Sequence, residues 1–254
     1  MNGYLVLARK ESLEIVRTWR LWVLPSIALF FALTGPPLAR FTPELINALG
    51  GAQLGQFKIP TPTYLDAYGQ WIKNLSQIVL FALIIIYGGL VSSEIRGGTA
   101  VFVLTKPVSR AAFVIVKAVV HSAFLAVVLA AGTLITWGMT VAAFGDAPAS
   151  ALWRSALLWL VLGVFFVSLM TALSVVIPAP AGAAGAGLGA YALLSGGGIW
   201  EPLSKYSPAG IIGQATSLAA GTDIYSPLWT VTTSVVLSVA LIWLAAAFFR
   251  RKEL

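Results

Sequence analysis

Six apolar stretches, separated by short polar intervals, run along the chain at approximately Trp19–Leu38, Ile72–Val91, Ala112–Phe144, Leu152–Ile177, Ala181–Ile199 and Pro227–Phe249. About 20 mainly apolar residues cross roughly 30 Å of hydrocarbon. The pattern therefore predicts an all-α integral membrane protein: six transmembrane helices forming one domain over residues 1–254. The third stretch is too long for one straight crossing, so it tilts or begins as a cytoplasmic helix around Ala111–Lys117. The first stretch reads as a retained span. Its leading region is long and carries Glu11 and Glu14, and the run exceeds the 7–15 residues of a signal-peptide core.

The intervals add three kinds of element. Residues 1–18 read as a helix lying on the membrane. Leu5, Ala8, Ser12, Ile15, Val16 and Trp19 share one face at three-to-four spacing, and Lys10, Glu14 and Arg17 share another, the signature of an interfacial helix. Residues 40–70 are punctuated by Pro43, Pro60, Pro62, Gly50, Gly51 and Gly55, which predicts an external loop with short helical pieces. Residues 200–226 form a second external segment. In it Ala209–Ala220 is apolar but too short to span, and so re-enters the membrane or rests on its surface.

Composition supports lipid as the solvent: 59% of the 254 residues are hydrophobic and only 10% are charged, against about 25% charged in soluble domains. The net charge of +7 is not gathered into a patch for nucleic acid. It marks the cytoplasmic side, where Lys and Arg accumulate. Arg9, Lys10, Arg17, Arg20, Arg96, Lys106, Arg110, Lys117, Arg250, Arg251 and Lys252, eleven of the sixteen basic residues, fall before the first span, in the second connection or in the tail. Both termini are thus expected in the cytoplasm of a cell whose inner (plasma) membrane holds the protein.

The absence of cysteine excludes thiol chemistry, and a single histidine, His121, excludes a multi-histidine metal site. His121 reads as a polar side chain near the cytoplasmic end of its helix. No G-x-x-x-x-G-K-[ST] phosphate loop occurs, so the chain is not expected to be an enzyme or to hold a cofactor or metal of its own. The spans are nearly free of ionisable residues, which disfavours a proton path and suits an apolar or amphipathic cargo. Thr133, Thr136, Ser168, Thr171 and Ser174 are expected to hydrogen-bond to backbone or neighbouring helices. In the fifth span Gly182, Gly185, Gly187 and Gly189 alternate with alanines, and small residues of this kind allow close helix packing in lipid. Gly182, Gly185 and Gly189 are therefore candidates for a helix contact or gate, between subunits or within one.

The interval 92–110, SSEIRGGTAVFVLTKPVSR, is the most informative. Glu94 lies where the second span leaves the membrane, and Gly97-Gly98 permits a sharp turn. Thr99 caps a short helical run, Ala100–Leu104, which Pro107 ends. Ser109 caps the next helix, and Arg110 anchors it at the headgroups.

The pattern E-x-R-x-G-T followed by L-x-K-P-V-S-R resembles the ABC-2 type permeases of ATP-binding-cassette transporters. It is carried by Glu94, Arg96, Gly98, Thr99, Leu104, Lys106, Pro107, Val108, Ser109 and Arg110, with Lys117 beyond. The layout resembles in particular the compact bacterial branch that includes the nitrous-oxide-reductase maturation permease and small drug or lipid exporters. The resemblance implies export driven by two copies of a separate ATPase subunit, which holds the ATP and Mg. It also implies a second permease subunit, in a homodimer, with the second and fifth spans lining the cargo route at its interface. Residues 96–107 would be the coupling helix that docks on the ATPase, with Glu94 a fixed charge relating it to Arg96 or to the first helix. The alternative reading is a membrane scaffold or maturation component that couples the ATPase to an extracytoplasmic protein partner.

Overall fold

The computed structural model describes residues 3–54, 61–99, 109–222 and 226–252. Among these residues the chain is helical, with no strands. The helices are α1 (Gly3–Arg17), α2 (Arg20–Leu54), α3 (Tyr64–Asn74), α4 (Leu80–Tyr87), α5 (Ser92–Arg96), α6 (Arg110–Phe144), α7 (Ala149–Val176), α8 (Pro180–Gly197), α9 (Glu201–Tyr206), α10 (Ile211–Ala219) and α11 (Leu228–Arg251). A π-helical segment, Leu75–Val79, joins α3 to α4, and a 3-10 turn, Pro208–Gly210, precedes α10.

Five helical stretches among the described residues are long and apolar enough to cross a membrane: Arg20–Ile46, Tyr64–Arg96, Arg110–Phe144, Ala149–Val176 and Leu228–Arg251. The stretch expected as the fifth span is α8, an 18-residue helix. Its many glycines keep it out of that set.

Contacts define two ends. At one, which we term the base, the Arg110 guanidinium donates to the carbonyls of Arg250 (3.4 Å) and Lys252, and Lys252 Nζ donates to the Val175 carbonyl at 2.7 Å. The start of α6 thus meets the end of α11, which in turn meets the end of α7. At the other end Tyr68 Oη donates to the Pro148 carbonyl (3.3 Å), and Thr230 Oγ1 donates to Gln214 Oε1 (2.9 Å).

Between the ends lies the main core, in which Trp71, Leu83, Ile84, Leu125, Trp159 and Phe166 are fully buried. A smaller core at the base joins Leu7 of α1, Phe113 and Val114 of α6, Val175 of α7 and Phe249 of α11. There the Phe113 and Phe249 rings stack 5.4 Å apart.

The polar residues of the spans mostly find the partners expected of them. Thr133 Oγ1 accepts from Trp71 Nε1 (3.2 Å), Ser168 donates to the Val164 carbonyl and Thr171 to the Val167 carbonyl. Thr136 Oγ1 is the exception, buried with no partner among the described residues. In the π segment the Leu80 N–H reaches the Leu75 carbonyl, and Ser76 Oγ accepts from Trp159 Nε1 at 3.1 Å.

Two expectations are corrected. The first external segment does not begin as loop. Helix α2 runs unbroken through Pro43, Gly50 and Gly51 to Leu54, and holds Pro25, Pro36 and Pro37 as well. Each proline removes one i to i−4 hydrogen bond, a loss that membrane helices tolerate where the rest of the helix stays bonded. Gly55 and Pro60 fall outside the described residues.

The faces of α1 are also divided differently from the sequence pattern. Its buried stripe is Leu7, Glu11 and Ile15, while Leu5, Val16 and Trp19 are exposed. Lys10 and Glu14, read as part of a polar outer face, turn toward the protein because opposite charges from other elements await them there. Helix α6 is one continuous helix of 35 residues, about 52 Å at 1.5 Å per residue. Its first turns pack on α1 at the base, which resolves the excess length of the third stretch.

Candidate functional site: a charge junction at the base of the bundle

Six charged side chains from four elements converge at the base. Helix α1 supplies Lys10, Glu11 and Glu14, α2 supplies Arg20, α5 supplies Glu94 and α6 supplies Lys117. Glu11 points inward because it shares a stripe with Leu7 and Ile15 at four-residue spacing. Glu94 is aimed by the anchoring of α5: the backbone N–H groups of Val91 and Ser92 donate to Ser174 Oγ of α7, at 2.9 and 3.0 Å. Those bonds fix the start of a helix only five residues long.

Lys117 is completely buried and donates to both Glu11 Oε2 (2.7 Å) and Glu94 Oε1. Its ammonium also lies 5.2 Å from the centre of the Phe113 ring. Lys10 reaches Glu11 (2.9 Å), Glu14 (2.7 Å) and Glu94 (3.0 Å), and Arg20 reaches Glu14 (3.2 Å). Three cations meet three carboxylates, so the junction carries no net charge. That balance is what makes burial tolerable, because an unpaired ion at such a site costs several kcal/mol. The carboxylate oxygens of Glu11, Glu14 and Glu94 lie within 4.8 Å of one another, a spacing that a metal ion could bridge. Here the ammonium groups of Lys10 and Lys117 already neutralise them.

Burial opposes charge on Lys10, yet Glu11, Glu14 and Glu94 outweigh it and hold the ammonium well above its usual range. Burial likewise opposes charge on Glu14, and Lys117, Lys10 and Arg20 outweigh it, holding the carboxyl below its usual value. The lowered Glu14 contributes stability that is present above its unfolded value of 4.5 and lost as pH falls through the folded value. The raised Lys10 contributes stability that is complete below 10.5 and lost as pH rises through the folded value. Protection of the α1 amides, corrected for intrinsic exchange, is therefore expected to stay flat between about pH 5 and about pH 10 and to fall in acid. A drop in protection near neutrality would contradict this assignment.

The junction links α1, α5 and α6 mechanically. The loop that leaves α5 begins immediately beyond it. Gly98 adopts φ +69°, a left-handed conformation that suits glycine, and Thr99 Oγ1 donates back to the Glu94 carbonyl at 3.3 Å. Arg96 is exposed and lies outside the junction. Ser109 Oγ accepts from the Ala112 N–H at 3.1 Å, the expected cap of α6. Leu104, Lys106 and Pro107 lie outside the described residues, as does the helical run predicted at Ala100–Leu104.

Of the glycines singled out in α8, Gly182 approaches only Ile177 and Ala179, and a Cβ at Gly185 or Gly189 would meet nothing within 4 Å. The close approach is instead at Gly187, where a Cβ would lie 2.9 Å from Ile84 Cγ2 and press on Met170.

Sequence reasoning put Glu94 at the site and related it to the first helix, but did not name Lys10 and Lys117 as its partners. The available signal was Lys117 itself, an ionisable residue on an otherwise apolar helix, which in a membrane protein implies a counter-charge. One turn further along α6, His121 packs edge-on against Tyr87, with ring centres 4.8 Å apart. It is deeply buried, and neither its ring nitrogens nor the Tyr87 hydroxyl has a hydrogen-bond partner among the described residues.

Comparison with known proteins agrees with this layout. A family model described as ABC-2 family transporter protein matches residues 5–254. An uncharacterized transmembrane protein of Bacillus subtilis (strain 168), YxlG, is 25% identical over 258 residues, covering 100% of this chain and 99% of the relative. With nearly its whole length matched, the chain belongs to the ABC-2 family of transporter proteins.

Proposed function

We propose that the chain is the permease subunit of an exporter driven by ATP hydrolysis on a separate ATPase, with a hydrophobic or amphipathic cargo. The observation that carries this reading is the base junction. It ties the N-terminal helix to both helices flanking residues 97–109, so a push on that segment reaches the second and third spans through one rigid, charge-locked block. Two ATPase copies would dock at the loops of two permease subunits.

Six crossings, with both termini cytoplasmic, suit the geometry of α8. Gly88 of the second span faces Pro180, Ile84 faces Gly187, and Phe81 packs edge-on against Tyr191 at 4.8 Å. The two helices thus run antiparallel along much of the bilayer's depth. The gathering of Arg20, Arg96, Arg110, Lys117 and Lys252 at the base fits a cytoplasmic side.

The test is to purify the tagged chain with its ATPase and measure stimulated hydrolysis. Arg96→Ala is expected to lower stimulation severalfold while the complex still assembles, because Arg96 is exposed beside that segment and supports no ion pair among the described residues. Unchanged stimulation, or purification of the chain with no ATPase, would overturn the reading.

A further inference from the structure

A mixed-polarity cleft lies at the end opposite the base, about 680 Å³ in volume, between the second span, α8 and the segment before the last span. Gly69, Gln70, Lys73, Ser76 and Gln77 form one wall, at helical spacing on α3 and the π segment. Tyr191 and Ser195 of α8 form the second wall, and Ser204 and Thr216 close the third side. Several hydrogen-bonding side chains face the space, and Lys73 is the one charge among the described lining residues.

Lys73 differs from the cations at the base. It is exposed, and among the described residues no ion pair or hydrogen bond engages its ammonium. The cleft also sits where the second span abandons α-helical geometry for a π turn, an irregularity common at functional positions. Below Lys73 on the same helical side, Ile78, Phe81 and Ile85 are exposed and apolar. The wall therefore presents a cation and amides at one level and a hydrocarbon surface beneath them, the layout of a site for a molecule with a polar head and an apolar tail.

We infer that this cleft binds an amphiphile with an anionic head, a phosphate, sulfate or carboxylate, which Lys73 and the neighbouring amides receive while the tail lies along Ile78 and Phe81. The inference rests on the exporter reading for its purpose, since it names the class of cargo, but its test does not require the ATPase. A charge-assisted bond to an ammonium is about twice as strong as a neutral one, so head-group charge governs affinity.

The experiment uses the full chain in phosphatidylcholine nanodiscs, titrated with a pyrene-labelled dodecyl phosphate and, separately, with the matching alkyl trimethylammonium. Wild type is expected to bind the phosphate at least tenfold more tightly. Lys73→Gln is expected to abolish that preference, and Lys73→Arg to retain it. Equal affinities for the two probes, or a preference that survives Lys73→Gln, would overturn the inference. The Lys73→Arg protein reports whether the site still folds. Adding phosphatidylglycerol to the discs separates sources: competition assigns the site to a bilayer lipid and its absence to another anionic amphiphile, and either result upholds the anionic class. Failure here with intact ATPase coupling would leave the exporter reading standing. Anion preference without any associated ATPase would do the reverse.

Discussion

Lys117→Met is expected to destabilise the protein by about 3–5 kcal/mol, because it strands Glu11 and Glu94 as buried carboxylates without their shared ammonium. The loss would be read from the unfolding midpoint in detergent. The same protein, assembled with its ATPase, is expected to show little stimulated hydrolysis. These two effects have different origins, and a compensated variant separates them. Combining Lys117→Met with Glu11→Gln and Glu94→Gln leaves no buried carboxylate without a counter-charge, and the remaining cations, Lys10 and Arg20, still pair with Glu14. The triple variant is expected to recover the midpoint yet remain poorly stimulated, since Lys10 then loses two of its three partners and α1 is no longer tied to α5 and α6. Full recovery of stimulation in the triple variant would show that the junction only holds the fold together. A Lys117→Met protein as stable as wild type would refute its burial between the two carboxylates.

Gly88→Ala is expected to have the second large effect, through backbone contact. A Cβ at Gly88 would lie 2.5 Å from the Pro180 carbonyl oxygen and 3.2 Å from the Ala184 nitrogen. Neither atom is the end of a flexible side chain, so α8 has to move away from the second span. Overpacking of this kind costs about 1–3 kcal/mol and occasionally more, and the change would appear as a lower unfolding midpoint. Gly185→Leu is the matched control. With no neighbour within 4 Å, it is expected to leave the midpoint of the isolated chain unchanged. If α8 packs against a second permease subunit at that face, Gly185→Leu would instead reduce dimer crosslinking. Thermal loss at Gly185 equal to that at Gly88 would show that the two faces of α8 are misassigned.

The contrast between these glycines shows where the sequence stopped being informative. The Gly-Ala alternation of residues 181–190 announced close packing, but period alone does not say which face is occupied. The occupied position is Gly187, which takes Ile84 and Met170, and the second span's own close glycine, Gly88, lies about ninety residues from the Pro180 and Ala184 it meets. The first external segment failed for a different reason. Pro43, Gly50 and Gly51 are strong breakers in water, but helix α2 continues through them. Local propensity is a weak guide where surrounding medium and neighbours favour a bonded backbone.

The sequence by itself determined the solvent, the helical class, the rough positions of the five long apolar helices and the bias of basic residues toward one end. All of these follow from hydropathy summed along contiguous residues. It also located Glu94 beside a glycine turn, because turn chemistry is local. Only the tertiary structure decided that Glu94, Glu11 and Lys117 meet, that α1 turns Lys10 and Glu14 inward and that Lys73 looks into a cleft without a partner among the described residues. Each of those facts depends on which helix faces which, and that is set by complementary charges and by Cβ-sized clearances between segments distant in the chain.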